Sequence, residues 1–349
     1  MTTPNHHPRK TTTLSPTCEI TINGRQKLTV NAGSSLFQTL RSHKIFVPST
    51  CGGRGACGRC RLKILEGAGP LTPADSFHLS KQELAANVRL SCQVKVRRNL
   101  LIQVPDEVLA IREFHATVDT IRGLTYDIKQ LHIRLNDPPE MNFTPGQYIQ
   151  LLVPNPDGRP QSVFRAYSMS SPPSRKNAFE LIVRLVPRGI CTTWIFNTLK
   201  ENDPLSLIGP YGDFKLTDSG RQMLWIAGGS GMAPFWAMAR HMAENNIQRK
   251  CTYFFGAVSR KDLFLVDEFR DIESKLPNFT FIPALSNPEE SDRWDGETGL
   301  ITEVAGRHVP QSPDAEAYLC GSGGMINACI NVLKTKAIPQ ERIYYDKFA

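Results

Sequence analysis

No stretch of this 349-residue chain stays apolar long enough to cross a bilayer. The most apolar run, residues 223–239, is interrupted by Gly228, Gly229, Gly231 and Pro234. The chain also lacks a secretory signal, an internal repeat and a low-complexity core segment. Its nine cysteines are an odd number, which does not suit a disulfide framework. These absences lead to the expectation of a cytoplasmic chain in a reducing compartment, or one held at a membrane surface. The arginines neither alternate with aromatics nor follow a recognition-helix pattern, so nucleic acid is not an expected partner.

What the chain does have is a distinctive set of cysteines. Cys51, Cys57 and Cys60 lie in Cys51-Gly-Gly-Arg-Gly-Ala-Cys57-Gly-Arg-Cys60, and Cys92 follows far downstream. A set of three with one distant member suits a [2Fe–2S] cluster, whose two irons need four thiolates. Glycines at 52, 53, 55 and 58 let the loop curl and turn backbone N–H groups toward sulfur. Five residues separate the first two cysteines, one more than in the plant-type spacing. The competing reading is zinc, but zinc ribbons carry two short Cys-x-x-Cys hooks and only Cys57–Cys60 is one. Cys18, Cys251 and Cys329 read as small apolar residues.

The length leaves room for two or three domains. The net charge of +8 is unevenly spread. Residues 1–108 hold 15 Lys/Arg against 6 Asp/Glu, whereas residues 109–349 hold 26 against 27. The excess therefore lies on the cysteine segment, with Arg54, Arg59 and Arg61 in or beside the loop. It reads either as an ordinary soluble surface or as a docking face for an acidic partner.

Patterning divides the chain into four parts. Residues 1–16 are a polar, Pro-containing tail expected to be disordered. Residues 17–108 read as a small β-grasp unit. Strands at 19–23 and 26–30 are joined at Asn23-Gly24, and helices are expected at 34–42 and after the Ser80–Glu83 capping box. Strands at 61–65, 88–96 and 100–104 complete it. Residues 109–215 read as a closed antiparallel barrel with one helix at 192–199. Residues 216–349 alternate strand and helix, which predicts a parallel sheet covered on both faces. Helices are expected there at 234–244, 266–276, 298–306 and 325–334.

Two further motifs carry chemistry. The first strand of the last part runs into Gly228-Gly229-Ser230-Gly231-Met232-Ala233-Pro234, a turn suited to a dinucleotide pyrophosphate. Arg165-Ala166-Tyr167-Ser168 offers a cation, an aromatic and a hydroxyl on one strand. Chemistry alone leaves it open between a flavin site and a core tyrosine beside a solvated arginine.

These motifs are joined, in order, by Pro145-Gly146-Gln147-Tyr148, Gly189-Ile190-Cys191-Thr192, Gly209-Pro210-Tyr211-Gly212, Cys320-Gly321 and Tyr345-Asp346-Lys347-Phe348. The whole resembles the ferredoxin–NAD(P)H reductase superfamily fused to an N-terminal ferredoxin domain. Within it, the chain is similar to the soluble part of the F subunit of the sodium-translocating NADH:quinone reductase and to oxygenase reductases. That F subunit begins with a membrane helix that this sequence does not show. Ser322-Gly323-Gly324 also stands where the family usually has prolines.

The resemblance implies FAD contacts at Arg165 (pyrophosphate), Ala166, Tyr167 (stacking), Ser168 (near N5) and Val183. It adds Ile190, Cys191 and Thr192 (pyrophosphate) and Phe348 (covering the flavin). It implies nicotinamide dinucleotide contacts along Gly228–Pro234 and at Cys320 and Gly321. Ser168, Cys320 and Asp346 would serve the hydride step, and Cys51, Cys57, Cys60 and Cys92 would hold the cluster. The implied activity is hydride transfer from NADH to FAD, then single electrons through the cluster to a carrier, an oxygenase component or a quinone. A redox-responsive binding protein without turnover is the alternative. Glu289 and Glu290, after the third strand of the last part, favour NADH over NADPH, while Arg260 and Lys261 point the other way.

Overall fold

The computed structural model describes residues 17–49, 51–154 and 163–348, with the side chain of Phe348 outside that description. The tail over 1–16 lies outside the described residues. The chain divides into two compact units, Met1–Ile111 and Arg112–Ala349.

In the first unit, β1 (Thr17–Ile22) and β2 (Gln26–Asn31) form the expected hairpin. Asn23 takes a left-handed backbone (φ 52°), and Arg25 N–H closes the turn on Ile22 O at 3.0 Å. Helix α1 (Leu36–Ser42) starts late relative to expectation because Ser35 caps it, accepting from Gln38 N–H. Strand β3 (Arg61–Glu66) leaves the cysteine loop. Helices α2 (Pro73–His78) and α3 (Lys81–Ala85) each open on a capping box, the second being Ser80–Glu83. Strands β4 (Val88–Leu90) and β5 (Leu100–Gln103) and helix α4 (Asp106–Leu109) follow. The sheet order is β2-β1-β5-β3-β4, with β1 and β5 parallel and the other pairs antiparallel. The strand expected over 88–96 stops at Leu90, where Gln93 N–H turns back onto Leu90 O (2.8 Å). That turn swings Cys92 out of the ladder.

The second unit opens with β6 (Arg112–Gly123), β7 (Ile128–Asp137), β8 (Tyr148–Val153), β9 (Val163–Ser168) and β10 (Ala178–Arg184). Helix α5 (Ile190–Asn197) and β11 (Pro204–Tyr211) complete this part. The antiparallel sheet runs β10-β7-β6-β11-β8-β9. Its two edges meet through a Met169–Leu181 bridge, and Ser170 N–H donates to Glu180 O at 2.8 Å. The sheet is thereby closed into the expected barrel around Val118, Leu131, Leu151, Met169 and Leu181. Residues on the opposite pleat face, Ile128 and Ile182, pack instead into the core of the following domain.

That domain comprises β12 (Met223–Gly228), α6 (Met232–Glu244), β13 (Cys251–Ala257), α7 (Val266–Lys275), β14 (Phe279–Leu285) and β15 (Glu297–Thr298). It ends with α8 (Ile301–His308), β16 (Glu316–Ser322), α9 (Gly323–Thr335) and β17 (Ile343–Phe348). The all-parallel order is β15-β14-β13-β12-β16-β17. Residues of α6 and α7 pack on one face, and those of α8 and α9 on the other. The helix expected from 298 starts at Ile301, because Glu297 and Thr298 pair with Ala284 and Leu285 instead. Strand order reverses direction at β12 and β16. A parallel sheet leaves a crevice at that place, beyond the strands' carboxyl ends.

Glu316 is buried where the barrel runs into this sheet. It accepts from Thr217 Oγ1 (2.6 Å), Ser219 Oγ (2.9 Å), Tyr318 Oη (3.0 Å) and Arg249 Nη2 (2.6 Å). Burial alone would raise its pKa, but these donors outweigh burial and hold it at about 2, against an ordinary 4.5. A depressed carboxylate contributes stability above pH 4.5 that is lost as pH falls toward 2. At neutral pH that contribution is about 3 kcal/mol. Melting curves of wild type and Glu316→Gln should therefore lie far apart at pH 7 and draw together between pH 4.5 and about 2. A gap independent of pH would contradict this account.

Candidate functional site

Three of the four cysteines sit in the loop before β3, and Cys92 sits in the turn after β4. Burial pushes the Cys51 thiol up, but hydrogen bonds from Cys57, from the N–H groups of Ala56 and Cys57 and from Ser49 hold it down at about 6. Cys92 is pulled down to about 6, first by a hydrogen bond from Cys60 and then, against burial, by Gln93 and the Gly55 N–H. Gln93 Nε2 donates to Cys92 Sγ at 3.3 Å. Cys60 is raised, first by donating to Cys92 and then by burial. The thiols thus stand in two pairs, 51 with 57 and 60 with 92, and Cys51 acts electrostatically on Cys92.

Two features test whether a cluster fits here. Ser91 is fully buried, and its hydroxyl faces the Cys60 sulfur and is otherwise unpartnered. Backbone N–H groups at 55, 56 and 57 point at sulfur, as an anionic cluster requires. Two thiol pairs with such donors suit [2Fe–2S] chemistry. Gly58 shows why the loop needs glycine. Its φ is +64°, and a Cβ there would stand 2.9 Å from the His78 ring. His78 in turn meets Gly55 O through Nε2 at 3.0 Å.

One buried carboxylate anchors this arrangement. Asp75 accepts from the N–H groups of Thr72 and Leu90 (both 2.9 Å) and from Arg89 Nη2 (2.9 Å). It joins α2 to β4 just before Cys92. No sequence pattern singles it out, since it looks like an ordinary first-turn acid of α2.

In the second unit, β9 carries Arg165, Ala166, Tyr167 and Ser168. Arg165 is exposed, and its Nη1 donates to Phe164 O at 2.9 Å. Tyr167 is half-buried, with its hydroxyl on the Cys191 thiol. Burial raises both groups, Cys191 to about 11, and the nearby Arg165 charge opposes the rise. Arg165, Tyr167 and Cys191 therefore share one locality. Helix α5 begins there on Gly189 with no side-chain cap, leaving the N–H groups of Ile190, Cys191 and Thr192 without intrahelical partners. A guanidinium beside an uncapped helix start suits a pyrophosphate. The Thr192 hydroxyl is turned inward, onto Val186 N and O (both 3.2 Å). Ser168 is buried, and the Val183 side chain lies in the barrel core.

The Gly228–Pro234 loop sits at the switch point, spanning the end of β12 and the start of α6. At Gly231 its close neighbours are backbone. A Cβ on Gly231 would fall 2.3 Å from Cys320 O. Cys320 is fully buried next to Ala227, and burial pushes its thiol up. Asp346 is its partner across β16 and β17 and adds to that rise. Ser322 caps α9, accepting from Met325 N–H at 3.4 Å, with Gly323 and Gly324 as the first turn. The Ser-Gly-Gly departure from the proline pattern thus makes a helix start. The side chain of Phe348 lies outside the described residues.

Motif reading misses residues that join the two halves of this unit. Arg184, at the end of β10, bonds Asp127 (2.7 Å) and stands 3.2 Å from where a Gly229 Cβ would be. Tyr126 Oη donates to Asp262 at 2.9 Å. Such contacts form across separate strands, so no short string announces them.

Comparison with known proteins agrees with this geometry. Residues 20–97 match the 2Fe-2S iron-sulfur cluster binding domain, 115–216 the oxidoreductase FAD-binding domain, and 225–330 the oxidoreductase NAD-binding domain. The F subunit of the Na(+)-translocating NADH-quinone reductase of Pseudomonas aeruginosa is 32% identical over 371 residues, covering 94% of this chain and 90% of that protein. Its Methylococcus capsulatus counterpart is 33% identical, covering 95% and 91%.

The chain belongs to the family of these F subunits. It is an oxidoreductase with FAD-, NAD(P)- and [2Fe–2S]-binding domains that transfers electrons through flavin and cluster. Among solved structures, the Amycolatopsis cytochrome P450 reductase GcoB superposes with a TM-score of 0.76 at 26% identity, covering 95% of this chain and 98% of that one. The ferredoxin reductase in carbazole 1,9a-dioxygenase gives 0.71 at 27%, covering 96% and 99%. This member of the family has the β-grasp, barrel and parallel-sheet order. Among its described residues no helix is long and apolar enough to cross a membrane.

Proposed function

We propose that the chain is an NADH-dependent reductase that delivers single electrons from its cluster to an acidic protein acceptor. The observation carrying this reading is the meeting, in one compact unit, of barrel strand β10 with the glycine turn at the β12–β16 switch point, where Arg184 stands 3.2 Å from the position of a Gly229 Cβ. Bound FAD supplies the conversion of a hydride into single electrons, and the cluster supplies the one-electron exit. The chain's residues do the positioning. Arg165 and the start of α5 would hold the flavin pyrophosphate, and Tyr167 and Ser168 would contact its ring. Gly228–Pro234 and Gly321 would admit the dinucleotide backbone, Arg184 would add a cation at its mouth, and Cys320 and Asp346 would lie beside the nicotinamide.

The coenzyme preference rests on who already holds the cations. Lys261 Nζ lies 3.3 Å from Glu289, and Arg260 Nη1 donates to Asp292 O at 2.6 Å. A 2′-phosphate would have to displace these partners in the presence of two carboxylates, Glu289 and Glu290. That cost favours NADH. The acidic-acceptor reading rests on the basic excess of residues 1–108 and on exposed Arg54 and Arg59 in the cysteine loop. A quinone at a membrane surface is the second reading, favoured by the relatives' name.

An anaerobic visible titration of the purified full chain tests the reading. One equivalent of NADH should bleach flavin and cluster bands together, with NADPH at least about tenfold slower. Reduction of a protein acceptor should then slow steeply with added salt, while flavin bleaching stays constant. Zinc in place of iron, or equal rates with the two coenzymes, would reject the corresponding part.

A further inference from the structure

We propose that Arg240 is a positioning residue for hydride transfer, locking the dinucleotide helix α6 to the barrel seam through Glu180 of β10 and Ser170 just beyond β9. The inference rests on the NAD-to-FAD reading above. Arg240 lies two turns into α6, the helix that begins at the glycine turn. Its guanidinium makes a forked contact with Glu180 of β10, Nη1 to Oε1 at 3.2 Å and Nη2 to Oε2 at 2.7 Å. Nη2 also donates to Ser170 O at 3.0 Å, two residues beyond Ser168. Trp236, one turn earlier, lies under the guanidinium, 4.9 Å from ring centre to Cζ. Glu180 is held from its own sheet by Gln130 Nε2 at 3.0 Å, with His132 Nδ1 3.7 Å away. One arginine therefore grips β10 and the segment just beyond β9 where they close the barrel, at the point where Ser170 N–H meets Glu180 O.

Stability alone is a poor explanation for this device. Glu180 is buried and the Arg240 side chain 25% exposed, and an ion pair of this kind gains little over apolar packing. Here Arg240 Nε and Ser170 Oγ are also buried without a partner. An unpaired buried polar atom costs about 1–3 kcal/mol. The surrounding core, with Ile182 against α6-side residues, had an apolar solution available. What a planar fork provides and apolar packing does not is fixed register. Register matters here, because hydride transfer requires the reacting atoms at near-contact distance.

The test uses full-length, flavin-loaded Arg240→Met, Arg240→Lys and Glu180→Gln beside wild type. NADH oxidation is followed with ferricyanide, using NADH and its form deuterated at the transferred position. Amide exchange over residues 168–171 and melting temperature are measured in parallel. Arg240→Met should lose at least about tenfold in kcat, with KM for NADH within about twofold and a larger isotope effect. Ser170 amide exchange should quicken at least about tenfold, and Arg240→Lys should recover most of each quantity. Should Arg240→Met lose its flavin, Glu180→Gln keeps the shape and should show the same pattern more weakly. A lower melting temperature with kcat and isotope effect unchanged would overturn the proposal, as would a rise in KM alone. Wild type that never oxidises NADH would instead overturn the underlying reading, and the exchange measurement would still report on the lock.

Discussion

Cys92→Ser should yield a protein whose flavin still bleaches with NADH but which passes almost nothing to a one-electron protein acceptor. Cys92 is the distant member of the thiolate set, and its thiol hydrogen-bonds directly with Cys60. Serine keeps the size but supplies a poor ligand to iron. The remaining three thiols lie in one short loop and cannot close the fourth corner. Delivery to the acceptor should fall by more than about a hundredfold, with iron content lost and the flavin spectrum retained. The two functions separate because Cys92 lies in the unit Met1–Ile111 and the flavin strand in Arg112–Ala349. Retained iron and acceptor reduction in the variant would show that another residue completes the set. Asp75→Asn should resemble a weaker form of this variant, since it loosens the turn that presents Cys92.

The second large effect is expected at Gly231. Alanine there would set its Cβ 2.3 Å from Cys320 O and 2.7 Å from Cys320 C, both backbone atoms. Backbone cannot rotate away as a side chain would, so the glycine turn and β16 must separate at the place proposed for the dinucleotide. Overpacking of this kind costs about 1–3 kcal/mol. The functional loss should exceed the loss in stability. KM for NADH should rise at least about tenfold, and hydride transfer should slow by about a hundredfold, because sub-ångström misplacement is heavily penalised. Gly323→Ala is the matched control. Nothing lies within 4 Å of its Cβ, and the helical position favours alanine, so activity and stability should hold. Equal damage from both variants would mean that glycine in this region serves the helix rather than the close approach.

Much of the molecule is legible without coordinates, for physical reasons that differ by region. The Asn23-Gly24 turn and the Ser80–Glu83 capping box are local: the residues that specify them are the residues that form them. The alternation of strand and helix after residue 216 is likewise local, and it implies a parallel sheet because parallel neighbours need crossovers. The expectation of a strand over 88–96 fails because alternation continues through Cys92, while the turn is set by Gln93 bonding back to Leu90 and by Asp75 from another element. Helix α8 starts later than its pattern predicts because Glu297 and Thr298 pair with β14, a partner that no window around them contains.

The same division holds for the site. Cysteine spacing and the glycine turn are chemistry written mostly in short strings, so the sequence by itself determined the cluster and dinucleotide classes and the domain order, while the flavin and the electron-transfer reading came from the resemblance that the ordered motifs carry. It could not state that Ser91 turns an otherwise unpartnered hydroxyl to Cys60, that Lys261 and Arg260 are already engaged by the segment after β14, or that Arg184 and Arg240 reach across to the other half of their unit. The last two are meetings of residues tens of positions apart, and so is that of Ser91 with Cys60. Their proximity is set by sheet order and helix packing, and burial makes each meeting count by removing the water that would otherwise satisfy those polar groups. Only the tertiary structure decides such contacts.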